Sequence, residues 1–439
     1  TRTARRAGVA HGRGRTQAVG APGAGTRPAA PSPDPHDGPR QPPVPEGRLG
    51  GRTILVAHPS AALYGSDRVL LESVSALCGA GARVVVVLPG DGPLWEELRL
   101  RGARVEHCPT PVLRKSHLSP RGLVSLGAEG ARGAATAGRL LRALHPDLVI
   151  VNTITIPLWL VLARARGIPT LCHVHEAERS ISPAVRRGLY APLLLATRLV
   201  TNSRFSLGVL TDTWERLAER TSVLHNGVPG PLRAPEPRAS LGEGPVNILY
   251  IGRLSPRKGP QVALAALAHL RDMGHPVHLR LLGSVFPGYE WFEEELHSQV
   301  RSLGIADEVE FLGFDTDIWR HFAAADVILV PSTVDEPFGN TAVEAMLARR
   351  PLVVSATSGL KEAAAGYAAV RRVPPGDVPA LARAVVDLVQ DWTNVITEVD
   401  DDRDLALVRH APALYRRRFV EEVLEMVPVV REPVGASQS

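Results

Sequence analysis

The 439-residue sequence has little cysteine and no long apolar run. Its three cysteines, Cys78, Cys108 and Cys172, lie far apart and show no Cys-x-x-Cys spacing, which excludes a disulfide framework and a zinc finger. We expect each of them to be a small buried residue in a reducing compartment. The most apolar stretch, residues 148–163, is interrupted by polar residues and a proline, so we predict no transmembrane helix and a cytoplasmic protein.

An excess of one charge is also missing from most of the chain. The formal net charge is +5, but residues 1–50 hold eight arginines against three acidic residues, and the remaining 389 residues carry 42 basic and 42 acidic side chains. This larger part has no electrostatic footprint for a polyanion, and we predict no nucleic-acid partner.

The first 50 residues contain nine glycines and nine prolines and have no hydrophobic period. Such a composition cannot bury enough apolar area to offset the entropy lost on ordering, so we predict a disordered tail. A targeting peptide is the alternative, but no apolar core follows the arginines.

From Thr53 onward, short apolar strands alternate with helical stretches. This rhythm predicts an α/β protein of repeated βα units on parallel sheets. It is broken once by a proline-rich segment and then restarts, which predicts two Rossmann-like domains facing each other across a cleft. We divide the chain into a tail (1–50), a first domain (51–229), a linker (230–245), a second domain (246–395), an acidic loop and helix packing back toward the first domain (396–428), and a tail (429–439).

Residues 326–355 predict one βαβ unit with two carboxylates in its middle. Glu336 lies in the loop after a strand, and Glu344 lies eight positions later in the helix that Gly339 and Asn340 begin. Carboxylates at the C-terminal edge of a parallel strand indicate recognition of hydroxyl groups in a crevice.

The second domain begins with a strand that ends at Gly252, followed by Arg253 and Lys258. A glycine lets the backbone approach a ligand, and the two cations can neutralise a diphosphate without a metal ion. A plain glycine turn followed by a cationic helical turn is the alternative for this segment by itself.

Taken together, these motifs resemble the retaining family 4 glycosyltransferases of the GT-B fold, also described as glycosyl transferases group 1. The resemblance covers residues 53–390, and Asn226-Gly227-Val228 and residues 358–362 and 375–377 also fit it. It implies that Arg253 and Lys258 hold the diphosphate of a nucleotide sugar, and that Glu344 binds the ribose. It further implies that Glu336 binds the transferred sugar, as the catalytic carboxylate beside the two cations. The segment Phe338, Gly339, Asn340 and Thr341 would complete the donor site with backbone amides at a helix start.

In the first domain, the resemblance assigns His175, at the end of a strand, to the reacting sugar. Cys172, His173 and His175 invite a metal interpretation, but we expect the two histidines to face apart on the strand and find no fourth ligand. Gly65 belongs to the loop that usually carries two glycines followed by an acid, and here Tyr64 replaces the first glycine and Asp67 is the acid. A plain strand-to-helix turn is the alternative for this loop.

The resemblance implies a retaining, hexosyltransferase-type enzyme that needs no metal or cofactor. It would move a sugar to a hydroxyl of a glycan, glycolipid or polysaccharide precursor of the cell envelope. Basic residues of the first domain, Arg114, Lys115, Arg121, Arg132, Arg186 and Arg187, could rest on the inner membrane surface. The alternatives are a nucleotide-sugar isomerase, a phosphorylase, a glycosidase using the two glutamates, or a sugar-nucleotide binding protein without catalysis.

Two aspartate-rich places could be mistaken for metal sites. Residues 315–317 precede a helix that Thr316 or Asp317 could cap. Residues 400–402 are three aspartates in what we interpret as a solvated polar loop.

Overall fold

The computed structural model describes residues 47–113, 120–286 and 288–427, and for residues 120–128 only the backbone. Most of the predicted tails, together with Arg114 and Lys115, lie outside the described residues, as does the side chain of Arg121. None of the described helices is long and apolar enough to cross a membrane.

The first half of the chain forms a seven-stranded sheet of parallel strands in the order β3-β2-β1-β4-β5-β6-β7. The strands are β1 (Thr53–Ala57), β2 (Arg83–Leu88), β3 (Arg104–His107), β4 (Leu148–Val151), β5 (Thr170–Val174), β6 (Arg198–Thr201) and β7 (Thr221–Val223). The helices are α1 (Gly65–Gly79), α2 (Leu94–Leu100), α3 (Pro120–Leu144), α4 (Leu158–Arg164), α5 (Pro183–Tyr190) and α6 (Arg204–Thr213).

The second half forms a six-stranded parallel sheet in the order β10-β9-β8-β11-β12-β13. Its strands are β8 (Val246–Ile251), β9 (Val277–Leu282), β10 (Val309–Gly313), β11 (Val327–Val330), β12 (Leu352–Ser355) and β13 (Val370–Val373). Its helices are α7 (Pro260–Asp272), α8 (Glu290–Leu303), α9 (Ile318–Ala323), α10 (Asn340–Leu347), α11 (Ser358–Ala363), α12 (Val378–Gln390) and α13 (Trp392–Arg409).

These two sheets confirm the predicted α/β architecture of two Rossmann-like halves. The edge strands β7 and β13 are short and have no continuous apolar run, so the sequence gives little sign of them; β13 reads Val-Arg-Arg-Val. Each sheet reverses its strand order once, between β1 and β4 and between β8 and β11. Ligands of open parallel sheets bind outside the carboxyl ends of the strands at such a reversal.

The prediction of an acidic loop from residue 396 onward is wrong, because the helix α13 runs through this segment. Its buried residues recur at a helical period, Trp392, Val395, Val399, Asp402 and Ala406, and the surrounding acids hide that period in the sequence. The Asp402 carboxylate accepts hydrogen bonds from the backbone amides of residues 368 and 369, both at 2.8 Å. Asp402 therefore stabilises the backbone just before β13.

The last helix, α14 (Pro412–Leu424), returns to the first half and lies against α1. The Tyr415 hydroxyl is 2.6 Å from the Ser73 hydroxyl, and the Arg416 guanidinium is 2.6 Å from the Glu72 carboxylate. Tyr415 and Phe419 are buried in the core of the first half. The C-terminal helix thus ties the second half to the first.

Candidate functional site

Two glycines bring the backbone of neighbouring strands together at the edge of the second sheet. Gly252 follows β8 and Gly283 follows β9, with φ angles of 157° and 146°. A Cβ at position 283 would lie 1.9 Å from the carbonyl oxygen of Gly252, so no side chain fits there. Because neither glycine carries a side chain, a space remains beyond the carboxyl ends of β8 and β9.

We expect Gly283→Ala to destabilise the second half. An Ala in this sparsely populated backbone region costs on the order of 1–3 kcal/mol, and the clash with the Gly252 carbonyl adds to it. The urea midpoint of unfolding measures the loss. Gly274→Ala is the control, because Gly274 also has positive φ but no atom lies within 4 Å of its Cβ position. Equal midpoints for the two variants would contradict the proposed clash.

Arg253 contacts two aromatic rings beside this space. Its guanidinium carbon is 4.4 Å from the centre of the Tyr64 ring and 5.1 Å from that of Phe286. Tyr64 comes from the first half and reaches across the cleft, where it also contacts Phe314 edge-on at 5.7 Å. Stacking holds a guanidinium by its faces, and its N–H edge remains available to an anion.

Lys258 lies beside the first of the two predicted carboxylates. Its ammonium group pairs with the Glu336 carboxylate, which also accepts a hydrogen bond of 3.2 Å from the Ser332 hydroxyl. The following residue, Gly259, has a φ of 72°, and a Cβ there would lie 2.0 Å from the Pro331 carbonyl oxygen. This contact positions the Lys258 turn against the end of β11.

The second carboxylate, Glu344, is buried one turn inside α10, with 8% of the residue exposed. Burial raises its pKa, against the opposite influence of Arg68 and Lys258. Arg68, on α1 of the first half, lies 3.6 Å away. Among the described residues, Arg68 is the ion-pair partner of this carboxylate, and its oxygens can accept hydrogen bonds from a ligand.

The start of α10 joins the two halves. Gly339 is its N-cap, with a φ of 114°, and a Cβ there would lie 2.3 Å from a methyl group of Leu360. The Asn340 side chain accepts a hydrogen bond of 2.8 Å from Asn226 and donates one of 3.5 Å to the carbonyl of Gly65. The first amides of α10 therefore point toward the cleft between the halves.

One cavity is lined by residues of both halves. Predicted site residues among them are Gly65, Gly252, Arg253, Asn340, Thr341 and Glu344. The other lining residues were not predicted to belong to the donor site and include Tyr64, Arg68, Ile251, Leu282, Gly283, Phe314, Asp315 and Ile318. For Phe314 and Asp315, the position directly after β10 was the available signal, since they follow the glycine that ends this strand.

Phe338, a predicted donor contact, has its ring in the core instead of the cleft. It is 2% exposed and lies 5.7 Å from the ring of His225 and 5.5 Å from that of His410. Its contribution to the site is to anchor the loop that carries Glu336 and Gly339.

At the edge of the first sheet, His175 follows β5 and its Nε2 lies 3.0 Å from the Asn152 side-chain oxygen. The expectation that His173 and His175 face apart is wrong, because residues two apart on a strand share a face. Their ring centres are 4.0 Å apart. The sequence could not reveal the link from His175 to Asn152, because the two residues belong to different βα units.

Neither aspartate-rich place forms a metal cluster. Asp315, not Thr316 or Asp317, makes the side-chain contacts before α9: it accepts hydrogen bonds from the Asp317 amide at 2.9 Å and from His321 at 2.8 Å. The His321 bond, with that amide, lowers the pKa of Asp315 to about 2. Among the described residues, no group of three or more His, Cys, Asp or Glu side chains is arranged to hold a metal ion.

Comparison with known proteins finds two matching family models. "Glycosyl transferases group 1" matches residues 236–401 and "Glycosyltransferase Family 4" matches residues 64–229. Together they cover about three quarters of the 439 residues.

Individual proteins are similar at lower identity. A glycogen synthase of Mycobacterium tuberculosis is 30% identical over 270 residues, which span 57% of this chain but only 62% of that protein. A 2-deoxystreptamine glucosyltransferase of Streptomyces kanamyceticus is 27% identical over 76% of this chain and 92% of its own length. The crystal structure of Anabaena HepE in complex with UDP and glucose superposes with a TM-score of 0.70 at 24% identity, over 85% of this chain and 99% of that one. This last likeness shows that the fold is shared.

Proposed function

Because the chain belongs to the group 1 and family 4 glycosyltransferases, which have the GT-B fold, we propose that it transfers a sugar from a nucleotide diphosphate sugar to an acceptor hydroxyl. In this proposal the anomeric configuration is retained and no metal ion is needed. The observation that carries it is the arrangement of Arg253, Lys258, Glu336 and Glu344 around the cleft edge of one sheet.

The donor diphosphate would lie against the N–H edge of Arg253, the Lys258 ammonium and the first amides of α10. These positive groups are fixed before the reaction, so they stabilise the charge that develops on the leaving diphosphate. The ribose hydroxyls would donate hydrogen bonds to the Glu344 carboxylate. The apolar residues Phe314 and Ile318, in the same cavity, would contact the base.

In the reaction, the bond between the anomeric carbon and the diphosphate oxygen breaks. The acceptor oxygen attacks from the same face and forms the new glycosidic bond, and its proton passes to the leaving diphosphate. Glu336 and His175 would hold hydroxyls of the transferred sugar. Two fixed cations at the diphosphate take the role that a divalent ion has in other transferases, so activity should survive EDTA.

The Tyr64 ring should tighten donor binding by holding Arg253 in place. We expect Tyr64→Ala to weaken binding of a nucleoside diphosphate by about 2- to 30-fold, the range for a cation–π contact of 0.5–2 kcal/mol. Isothermal titration calorimetry measures this change. Tyr64→Phe is the matched control, because it keeps the ring and removes only the hydroxyl. If Tyr64→Ala binds as tightly as Tyr64→Phe, the ring does not organise Arg253 for the donor.

The acceptor would bind to the first half, where we propose a glycan, glycolipid or polysaccharide precursor. On α5, Arg186 is half-buried and Arg187 is exposed, and both follow Val185, which is 46% exposed. Such a basic surface could rest on anionic lipid. Flotation with liposomes of anionic phospholipid at low salt tests this, and no association would remove the membrane part of the proposal.

A donor screen tests the function itself. Ligands that bind only the folded state raise the melting temperature, so UDP-glucose and other nucleotide sugars are compared by thermal shift. The stabilising donor is then incubated with and without candidate acceptors, and the products are identified by mass spectrometry. Transfer to an acceptor supports the proposal. Conversion of the donor alone indicates an isomerase. Release of a sugar 1-phosphate from a glycan and inorganic phosphate indicates a phosphorylase, and binding without turnover indicates a binding protein. No stabilisation by any nucleotide sugar overturns the proposal.

A further inference from the structure

We infer that Asp67, His58 and Asn152 form a buried hydrogen-bond relay whose role is to fix the ring of His175 with its proton on Nε2 and its lone pair on Nδ1. These three are positioning residues, since they act on the reaction through His175. The inference deepens the proposed function, on which it rests.

The relay runs across neighbouring strands at the edge of the first sheet. His58 directly follows β1, Asn152 directly follows β4 and His175 directly follows β5, and these three strands are adjacent in the order β1-β4-β5. The point between β1 and β4 is also where the strand order reverses, so the relay lies at the crevice where this fold binds ligands.

The contacts form one unbroken series. Nε2 of His58 is 2.7 Å from the Asp67 carboxylate, Nδ1 of His58 is 3.0 Å from the Asn152 amide nitrogen, and the Asn152 oxygen is 3.0 Å from Nε2 of His175. His58, Asp67 and Asn152 are 1%, 3% and 2% exposed. Water therefore has no access to replace these bonds, and each partner determines the next.

The positions of the protons follow from the chemistry of the first member. The Asp67 carboxylate is an acceptor, and it also receives the Tyr64 backbone amide at 2.8 Å and the Ser60 hydroxyl at 3.3 Å. His58 therefore donates from Nε2, and in the neutral ring this leaves Nδ1 as an acceptor. Only the amide nitrogen of Asn152 can donate to that atom, so the Asn152 oxygen faces His175 and requires a proton on Nε2 of His175.

The remaining ring nitrogen of His175 is accessible and unpartnered within the described part of the chain. Nδ1 of His175 makes no hydrogen bond and is not among the buried polar atoms that lack a partner. The loop that follows it approaches the second half, where the Glu178 carboxylate is 3.9 Å from Arg257, the neighbour of Lys258. His175 thus keeps a lone pair on Nδ1 that is open to a ligand.

The groups that face His175 keep its ring neutral. Burial lowers its pKa well below the ordinary histidine value, and the neighbouring His173 and His58 lower it further. The carboxylate of Glu176, the next residue in the chain, accepts the backbone amide of His175 at 3.1 Å. A neutral ring with its proton on Nε2 can accept a hydrogen bond from a sugar hydroxyl and cannot donate one into the cleft. The loop acid Asp67 then acts through His58 and does not touch the donor.

The tautomer can be measured without any ligand. In protein labelled with 15N-histidine, long-range proton–nitrogen spectra distinguish the two neutral tautomers, and His175→Asn identifies the signals of His175. We expect a neutral His175 with its proton on Nε2, and a His58 ring that donates from Nε2. A proton on Nδ1 of His175 in the full-length wild-type protein would overturn the relay. The proposed function would remain open, because the donor screen and the transfer assay test it separately.

Replacing the central amide tests the coupling. Asn152→Asp puts a carboxylate between two histidines, and an opposite charge at this distance raises a histidine pKa by about 1–3 units. In the pH dependence of kcat, the acid limb should therefore move to higher pH by about 1–3 units. The affinity for the nucleoside diphosphate should stay unchanged. Asn202→Asp is the control: Asn202 is a buried asparagine after β6 whose oxygen accepts a bond of 3.0 Å from Ser206, and a carboxylate keeps that bond. An unshifted limb in a folded Asn152→Asp protein would contradict the relay.

Discussion

Lys258→Ala should lower kcat by about 10²- to 10³-fold, the cost of removing one preorganised donor to a developing negative charge. Lys258 places its ammonium group beside Glu336, at the end of β11 where the leaving diphosphate is expected. The charge on that diphosphate grows as the bond to the sugar breaks, so the lost interaction weighs more on kcat than on donor affinity. The fold should survive, because Lys258 is 35% exposed in a single ion pair, and such pairs contribute about 1 kcal/mol or less.

Steady-state kinetics with the donor found in the screen measures this change. Arg271→Ala is the matched control, because Arg271 lies near the end of α7, the helix that directly follows the Lys258 turn. Within the described part of the chain, its partners are Asp272 and the Gly304 carbonyl. The control removes the same charge from the same half without touching the cleft. If both variants keep full turnover, the diphosphate does not bind at Lys258.

Glu344→Gln should weaken nucleotide binding by about 10- to 150-fold, the range for a hydrogen bond to a charged group worth 1.5–3 kcal/mol. The same change should raise the stability of the ligand-free protein at neutral pH. Burial raises the pKa of Glu344, so the folded protein binds this proton more readily than the unfolded chain does. Stability is then lost as the pH rises, and a neutral side chain removes that loss. The gain should vanish below about pH 4.3, where the glutamate is protonated in both states.

Calorimetric titration with the nucleoside diphosphate, and urea unfolding at pH 4 and pH 7, measure the two effects. Asp402→Asn is the control, because Asp402 is also a buried carboxylate of the second half whose pKa is raised by burial. It contacts backbone amides far along the chain from the cleft residues, so nucleotide binding should be unchanged. Equal nucleotide binding by Glu344→Gln and the wild type would show that the ribose does not bind Glu344.

The part of the site that lies in the second half of the chain was largely predictable from the sequence, because its residues are close together in the chain. Gly252 and Arg253 follow one strand directly, and Glu336 and Glu344 lie within one βα unit, so strand ends and helix starts place them by short-range geometry. The aspartates at residues 400–402 were misinterpreted because the contact that decides their structure joins distant parts of the chain. Three aspartates in a row predict a solvated loop, whereas Asp402 turns inward to pair with two backbone amides.

The contact of Tyr64 with Arg253 could not be predicted from the residues around Tyr64 in the chain. Its sequence position suggested only a missing glycine, and the loop's backbone does not need one there, since φ at Tyr64 is −92°. Its ring instead reaches Arg253 in the other half. A contact between residues so far apart depends on how the halves close and leaves no periodic signal.

By itself the sequence determined the repeated βα units, the two cations, the paired glutamates and, through them, the family, because each depends on residues close together in the chain. Only the tertiary structure decided that α14 returns to α1, that Phe338 is a core residue, and that His58, Asp67, Asn152 and His175 form one series. The His58–Asn152 contact joins residues 94 positions apart. It exists because β1 and β4 are neighbours at the reversal of the sheet, which is a property of strand order and not of any local run of residues.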